Sequence, residues 1–128
     1  MKLITMNEFL MNRVTYSSLS DELKENATIL LMKVNELLKL FGEYRQCNSG
    51  YRTPEDQQRI NPKSTTSKHL TCQAIDIADK DKKLANWCHK NEYLLAKYEL
   101  YCEDTNSTST WVHFQIVPPK SGKRFFIP

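Results

Sequence analysis

From Leu23 to Phe41 the apolar residues fall at helical spacing, with Leu23, Ala27, Leu30, Leu31, Val34, Leu37, Leu38 and Phe41 on one face. A stripe of that length is satisfied by one long helix laid by its apolar face against the rest of the chain. Ser20, followed by Asp21 and Glu22, reads as the N-cap with acids in the first turn. Gly42 reads as the stop. A short helix is expected over residues 5–12. Beyond Gly42 the chain carries no second long stripe. Short strands are expected over 43–48, 73–78, near 97–103 and 110–117, the last two joined by the turn-like Asp104-Thr105-Asn106-Ser107. Thr53-Pro54-Glu55-Asp56 looks like a helix start with proline in the first turn. Asp79 or Asp81 is expected to cap a helix running through Lys90, with Leu84, Trp87 and Cys88 turned inward. Residues 61–68 read as a polar loop. The tail 118–128 reads as a loop whose apolar Phe125-Phe126-Ile127 docks on the core.

Helices come first and most strands later, without the alternation that builds a parallel sheet. The expected class is α+β, with a small antiparallel sheet packed against N-terminal helices. A chain of 128 residues fits a single domain spanning 1–128. Its parts are a helical scaffold over about 1–42, a site-bearing part over about 43–117 and the C-terminal tail 118–128. With 40% hydrophobic and 26% charged residues, a packed core is expected rather than disorder. The 18 basic and 15 acidic residues leave a net charge of +3, and the basic residues form no block, so no nucleic-acid partner is expected. No stretch reaches the ~20 apolar residues a membrane helix needs, so no membrane insertion is expected. Residues 1–8 contain no continuous apolar run and do not read as a secretory signal, so synthesis in the cytoplasm is expected. Cys47, Cys72, Cys88 and Cys102 lack CxxC spacing and read as reduced, buried thiols, a disulfide being open if the protein works outside the cell.

Two of the strand segments share an odd feature. In Ile75-Asp76-Ile77 a carboxylate sits between two isoleucines, and in Val112-His113-Phe114 an imidazole sits between two large apolar residues. Side chains alternate faces along a strand, so Asp76 and His113 point away from their apolar neighbours. If the two strands lie close in one sheet, both converge on one face. His69 sits just upstream, on the loop feeding the first of them. Two imidazoles and one carboxylate make a zinc triad with a fourth position left for water. The other reading of the same residues is a hydrogen-bonded sheet histidine and a carboxylate that caps a neighbouring amide.

Ser67-Lys68-His69-Leu70-Thr71-Cys72-Gln73-Ala74-Ile75-Asp76 resembles the Ser-x-His-x-x-Gly-x-Ala-x-Asp signature of the zinc D-Ala-D-Ala carboxypeptidase family. That family includes D-Ala-D-Ala dipeptidases and bacteriophage endolysins, and its fold is shared with hedgehog signalling domains. Ser49-Gly50-Tyr51-Arg52-Thr53 is similar to the family's Ser-Gly-Tyr-Arg-Ser/Thr stretch, and Trp111-Val112-His113 to its third-ligand strand. The three motifs occur in order across roughly residues 20–117. The resemblance implies Zn2+ held by His69, Asp76 and His113, and Arg52 as a substrate-binding residue whose guanidinium fork suits a carboxylate or carbonyl. Ser67 either bonds near the site or shapes the loop. Tyr51 reads as packing, and His89, which matches no motif, as a surface histidine.

Two departures stand out. The signature glycine is Cys72, a thiol that could crowd the turn or compete as a ligand. The glutamate many members place three residues before the last histidine is Thr110. Other branches place an acid at the end of the preceding strand, where Glu103 lies, with Asp104 beside it and Glu99 on the same expected strand face. Glu103 is the expected general base. The implied function is a zinc metallopeptidase hydrolysing peptide bonds of peptidoglycan stem peptides, as a D-Ala-D-Ala carboxypeptidase or an endolysin-type endopeptidase. It is expected to act as a monomer, on the cell wall after release in phage lysis or in the host cytoplasm. The rival is a non-catalytic, zinc-containing wall-binding or phage structural domain that has lost its base.

Overall fold

The computed structural model describes residues 1–128. Helix α1 covers Met6–Leu10, capped by Thr5 and Glu8 in a reciprocal capping box. Helix α2 covers Asp21–Phe41. Its first turn is closed by the Ser20 hydroxyl, which accepts from Leu23 N, and Gly42 ends it at a φ of 92°. Ala27, Leu30, Leu31, Val34, Leu37 and Leu38 are its buried face. Each leucine buried there contributes about 2 kcal/mol, and Asn35 adds a two-way hydrogen bond to the Ile4 backbone.

Five strands follow: β1 (Cys47–Ser49), β2 (Ala74–Ala78), β3 (Tyr101–Glu103), β4 (Trp111–Gln115) and β5 (Phe125–Phe126). Their order across the sheet is β1-β2-β4-β3-β5, antiparallel throughout except for the parallel β3–β5 edge. Three further helices lie between them: α3 (Pro54–Ile60), α4 (Lys83–Lys90) and α5 (Glu92–Lys97). Thr53 caps α3 with Pro54 in its first turn, as its sequence implied. Both candidate acids act at the start of α4. The buried Asp79 carboxylate accepts from Leu84 N and Ala85 N at 2.9 Å, and Asp81 accepts from Lys83 N at 3.2 Å.

Two sequence expectations need correction. The strand expected near 97–103 begins only at Tyr101, because Glu92-Tyr93-Leu94-Leu95-Ala96-Lys97 forms α5, burying Leu95. Glu99 then sits in a turn at a φ of 55°, its carboxylate 3.9 Å from Lys33 Nζ, and shares no strand face with Glu103. The tail does reach the core, since Phe126 is buried, but as a strand paired with β3 rather than as a loop. Ile127, grouped with the docking patch, is exposed.

The apolar core runs continuously from α1 and α2 into the inner face of the sheet. One close approach governs where the sheet meets α1. Gly50, just after β1, carries no side chain because the Phe9 carbonyl oxygen stands 1.9 Å from where a Cβ would be. Tyr51 N donates to that same carbonyl at 2.9 Å. A backbone oxygen cannot yield as a flexible side chain can. Gly50→Ala should therefore destabilise the protein by about 3 kcal/mol or more, a large single-site effect. Thermal melting checks this, and a melting temperature equal to that of the parent would disprove the contact.

Candidate metal centre

Strand β2 pairs with β4 so that Asp76 lies directly across from His113. Ile75, Ile77, Val112 and Phe114 turn the other way and are fully buried. The alternation read in the sequence therefore holds on both strands. On the far side of β4, Tyr101 pairs with Gln115 and Cys102 with Phe114. Continuing that register sets Glu103 across from His113, and Glu103 itself pairs with Phe126. On the near side, Ser49 pairs with Asp76. Ser49, Asp76, His113, Glu103 and Phe126 thus form one row across all five strands.

His69 enters this row from a 3-10 turn over Lys68–Thr71. The Ser67 hydroxyl caps the turn by accepting from His69 N at 3.3 Å, so Ser67 shapes the loop as well as lining the cleft. Cys72 closes the turn at a φ of 59°, the left-handed region where glycine is free of strain. Its side chain lies in the apolar core, and burial pushes its thiol up to about 12, which leaves a protonated thiol packed away from the triad.

His69, Asp76 and His113 each offer a donor atom, all within 4.8 Å of one another. His69 Nδ1 lies 2.8 Å from the Gly50 carbonyl oxygen, which can only accept, so Nδ1 donates and Nε2 is the nitrogen left to face the triad. That nitrogen faces Asp76 Oδ2 at 3.4 Å. An imidazole nitrogen and a carboxylate oxygen facing each other are joined either by a proton on the ring or by a shared cation. Tetrahedral zinc with bonds of about 2.1 Å separates its ligand atoms by about 3.4 Å. The donor set, the spacing and the fixed outer hydrogen bond therefore fit zinc.

The charge balance around Asp76 points the same way. Burial alone would raise its pKa, but hydrogen bonds from His113 and then His69 hold the carboxyl well below the usual range. His113 Nδ1 lies 2.9 Å from Asp76 Oδ1. Burial works against a proton on His113, and the Asp76 hydrogen bond and charge outweigh it, so the His113 pKa is raised. Arg52 stands beside the triad, with Nη2 3.7 Å from Asp76 Oδ2. Its Nε donates to Ser49 Oγ at 3.2 Å and its Nη1 to Gln57 Oε1 at 3.1 Å, so the fork is held in one orientation.

A cleft of about 980 Å³ opens over this face, lined by Arg52, His69, Asp76, Glu103 and His113 together with residues of the tail. Glu103 is half-buried there, and burial followed by the charges of Asp76 and Asp104 raises its pKa against the pull of His113. Neither Thr110, Asp104 nor Glu99 lines the cleft. Tyr51 is buried packing. His89 is at the surface, as expected, but is not idle: its ring stacks on Phe125 at 4.0 Å and its Nε2 lies 2.8 Å from Thr105 Oγ1. Sequence reading passed over Gln115, whose Oε1 lies 2.9 Å from His113 Nε2. The signal was available, because Gln115 follows His113 by two and so shares its strand face. Phe126 was expected to dock on the core, but its pairing with Glu103 beside the site was not expected, since β3 lies outside every motif.

Purified protein offered zinc should bind about one equivalent, and His69→Ala and His113→Ala should each lose most of it while remaining folded. Elemental analysis with circular dichroism checks both. Zinc should also stabilise more as pH rises. A raised His113 pKa favours the folded metal-free protein below the ordinary value of about 6.5 and ceases to as pH climbs through the raised one. Zinc needs that nitrogen without its proton. The zinc-induced rise in melting temperature should be small at about pH 5 and grow towards about pH 8. A pH-independent rise would show that His113 gives up no proton to the metal.

No curated protein and no solved structure matches the chain. The family model described as peptidase M15 matches residues 2–115, a span that begins ahead of α1 and ends with β4. All three residues of the triad, together with Arg52 and Glu103, fall inside that span. The chain belongs to the peptidase M15 family, whose members are zinc-dependent peptidases.

Proposed function

We propose that this chain hydrolyses peptide bonds in peptidoglycan stem peptides, with zinc held by His69, Asp76 and His113 and with Glu103 as general base. The observation that carries this reading is the row across the sheet, which puts a half-buried acid of raised pKa on the strand next to His113. Zinc bound at the triad supplies a Lewis acid for the scissile carbonyl and makes water easier to deprotonate. The Glu103 carboxylate takes the proton of the attacking water and returns it to the leaving amine nitrogen. A raised pKa suits both halves of that task, because the group must accept a proton and then release it near neutral pH. Arg52, fixed by Ser49 and Gln57, presents its remaining N–H groups to a substrate carboxylate or carbonyl. The cleft has room for a short peptide, and His69, Asp76, His113 and Glu103 line it together.

Carboxypeptidase and endopeptidase action on stem peptides share this chemistry and differ in where the chain runs past Arg52. In the first case Arg52 grips the terminal carboxylate, and in the second an internal carbonyl. Release onto a cell wall during phage lysis would suit the endopeptidase. We further propose that the chain works as a single domain and as a monomer.

Glu103→Gln should keep stoichiometric zinc and lose cleavage of a stem peptide by about 100-fold or more. Glu99→Gln should be nearly silent, because Glu99 is an exposed partner of Lys33 outside the cleft. Arg52→Lys should be nearly as damaging as Arg52→Ala, since lysine keeps the charge and loses the fork. Turnover of a synthetic stem peptide, measured beside zinc content, decides these. Full activity in Glu103→Gln would remove Glu103 as the base. Zinc and wall binding by a parent protein that cleaves no stem peptide would favour the non-catalytic wall-binding reading.

A further inference from the structure

Gln115 occupies the position two residues beyond His113 on β4 and is buried. Its amide makes two hydrogen bonds, and together they leave no freedom of assignment. Gln115 Nε2 donates to the Val117 carbonyl oxygen at 2.8 Å. A backbone carbonyl can only accept, so the NH2 end of the amide must face it. The opposite orientation would set two oxygens against each other. The amide oxygen therefore points the other way, at 2.9 Å from His113 Nε2. An amide oxygen cannot donate, so His113 Nε2 carries hydrogen. The second ring nitrogen, Nδ1, is the one directed at Asp76 Oδ1.

We propose that Gln115 is a positioning residue of the metal centre, anchored by the Val117 carbonyl, that orients the His113 ring so that Nδ1 is the metal-binding atom. The inference rests on the reading of His113 as a zinc ligand. It makes the two histidines mirror images in wiring. His69 is held through Nδ1–H by a backbone carbonyl and offers Nε2, whereas His113 is held through Nε2–H by a side chain and offers Nδ1. Ligand histidines depend on such outer acceptors for orientation and basicity. The acceptor behind His69 is a main-chain carbonyl and depends on no side chain. The acceptor behind His113 is a side chain, so Gln115 is where sequence change can tune the centre without touching a ligand. The Val117 anchor lies just past β4, so the same amide ties the ligand strand to the start of the tail that lines the cleft.

The test is zinc affinity measured by competition with a chromogenic chelator, together with 15N NMR of the zinc-loaded parent. Gln115→Leu keeps the bulk and removes both hydrogen bonds, and should weaken zinc by about 10- to 100-fold while the circular dichroism spectrum is retained. Gln115→Glu keeps an acceptor for Nε2–H and should bind zinc several-fold more tightly than the leucine variant. In the parent, the His113 Nε2 resonance should carry a bonded proton and Nδ1 the shift of a metal-bound nitrogen. Zinc bound through Nε2, parent-like affinity in Gln115→Leu, or equal losses in the leucine and glutamate variants would each overturn the proposal. If Gln115→Leu does not fold, the NMR assignment on the parent decides. Parent-like zinc affinity in His113→Ala would instead overturn the ligand reading beneath it, so the two failures are distinguishable.

Discussion

The site depends on the register of the β2–β4–β3 ladder. Because side chains alternate faces, a slip of one residue would turn His113 into the core and push Val112 or Phe114 into the cleft. What prevents the slip is the other side of the sheet. Ile75, Ile77, Val112, Phe114 and Cys102 are all without solvent exposure and pack into the same core as α2. Exposing any one of the large apolar residues costs about 2 kcal/mol, and a slip would expose them together. The polar row is thus held in place by apolar contacts it does not itself make. The long N-terminal helix, which contributes no residue to the triad, matters to the chemistry for this reason.

The second constraint is the charge on Asp76. An ionised carboxylate with little access to water is costly unless it is compensated. Two imidazoles and a guanidinium surround it, and of these only Arg52 is always charged. The Arg52 contact, at 3.7 Å, is longer than a hydrogen bond. The closer compensation comes from His113, whose pKa the Asp76 contact raises, and from His69. A divalent cation at the triad would take over that role, with release of any proton the coordinating nitrogens carry.

The parts of this arrangement that were legible in the sequence are those set by short-range rules. Alternation placed Asp76 and His113 opposite their apolar neighbours, helical spacing placed α2, and cap residues placed both of its ends. The family-like motifs supplied the triad and Arg52, and the structure brings those residues to one cleft. Two features were not legible, for two reasons. Residues 92–97 carry too short an apolar pattern to separate a two-turn helix from a strand, so Glu99 was set on a strand it does not join. The two-residue strand β5 exists only because β3 offers it an edge, and nothing local in Phe125-Phe126 announces pairing with residues more than twenty positions earlier. The signature cysteine was legible only in part. Its place in the turn was clear, but its left-handed conformation and its burial in the core belong to the folded chain.

That short edge strand has a chemical consequence. Phe126 pairs with Glu103, and its ring lies 6.1 Å from that of His113. Asp104 N donates to the Phe126 carbonyl at 2.7 Å, which holds the end of β3 against the tail. The residues packed beside Glu103 thus include part of the tail, which lies beyond the stretch matched to the family. His69, Asp76 and His113 are set mainly by the sheet interior, whereas Glu103 lies at the edge where the tail pairs with β3 and walls the cleft. The candidate metal ligands and the acid are nonetheless coupled through one row of side chains, with Phe126 of the tail beside both His113 and Glu103.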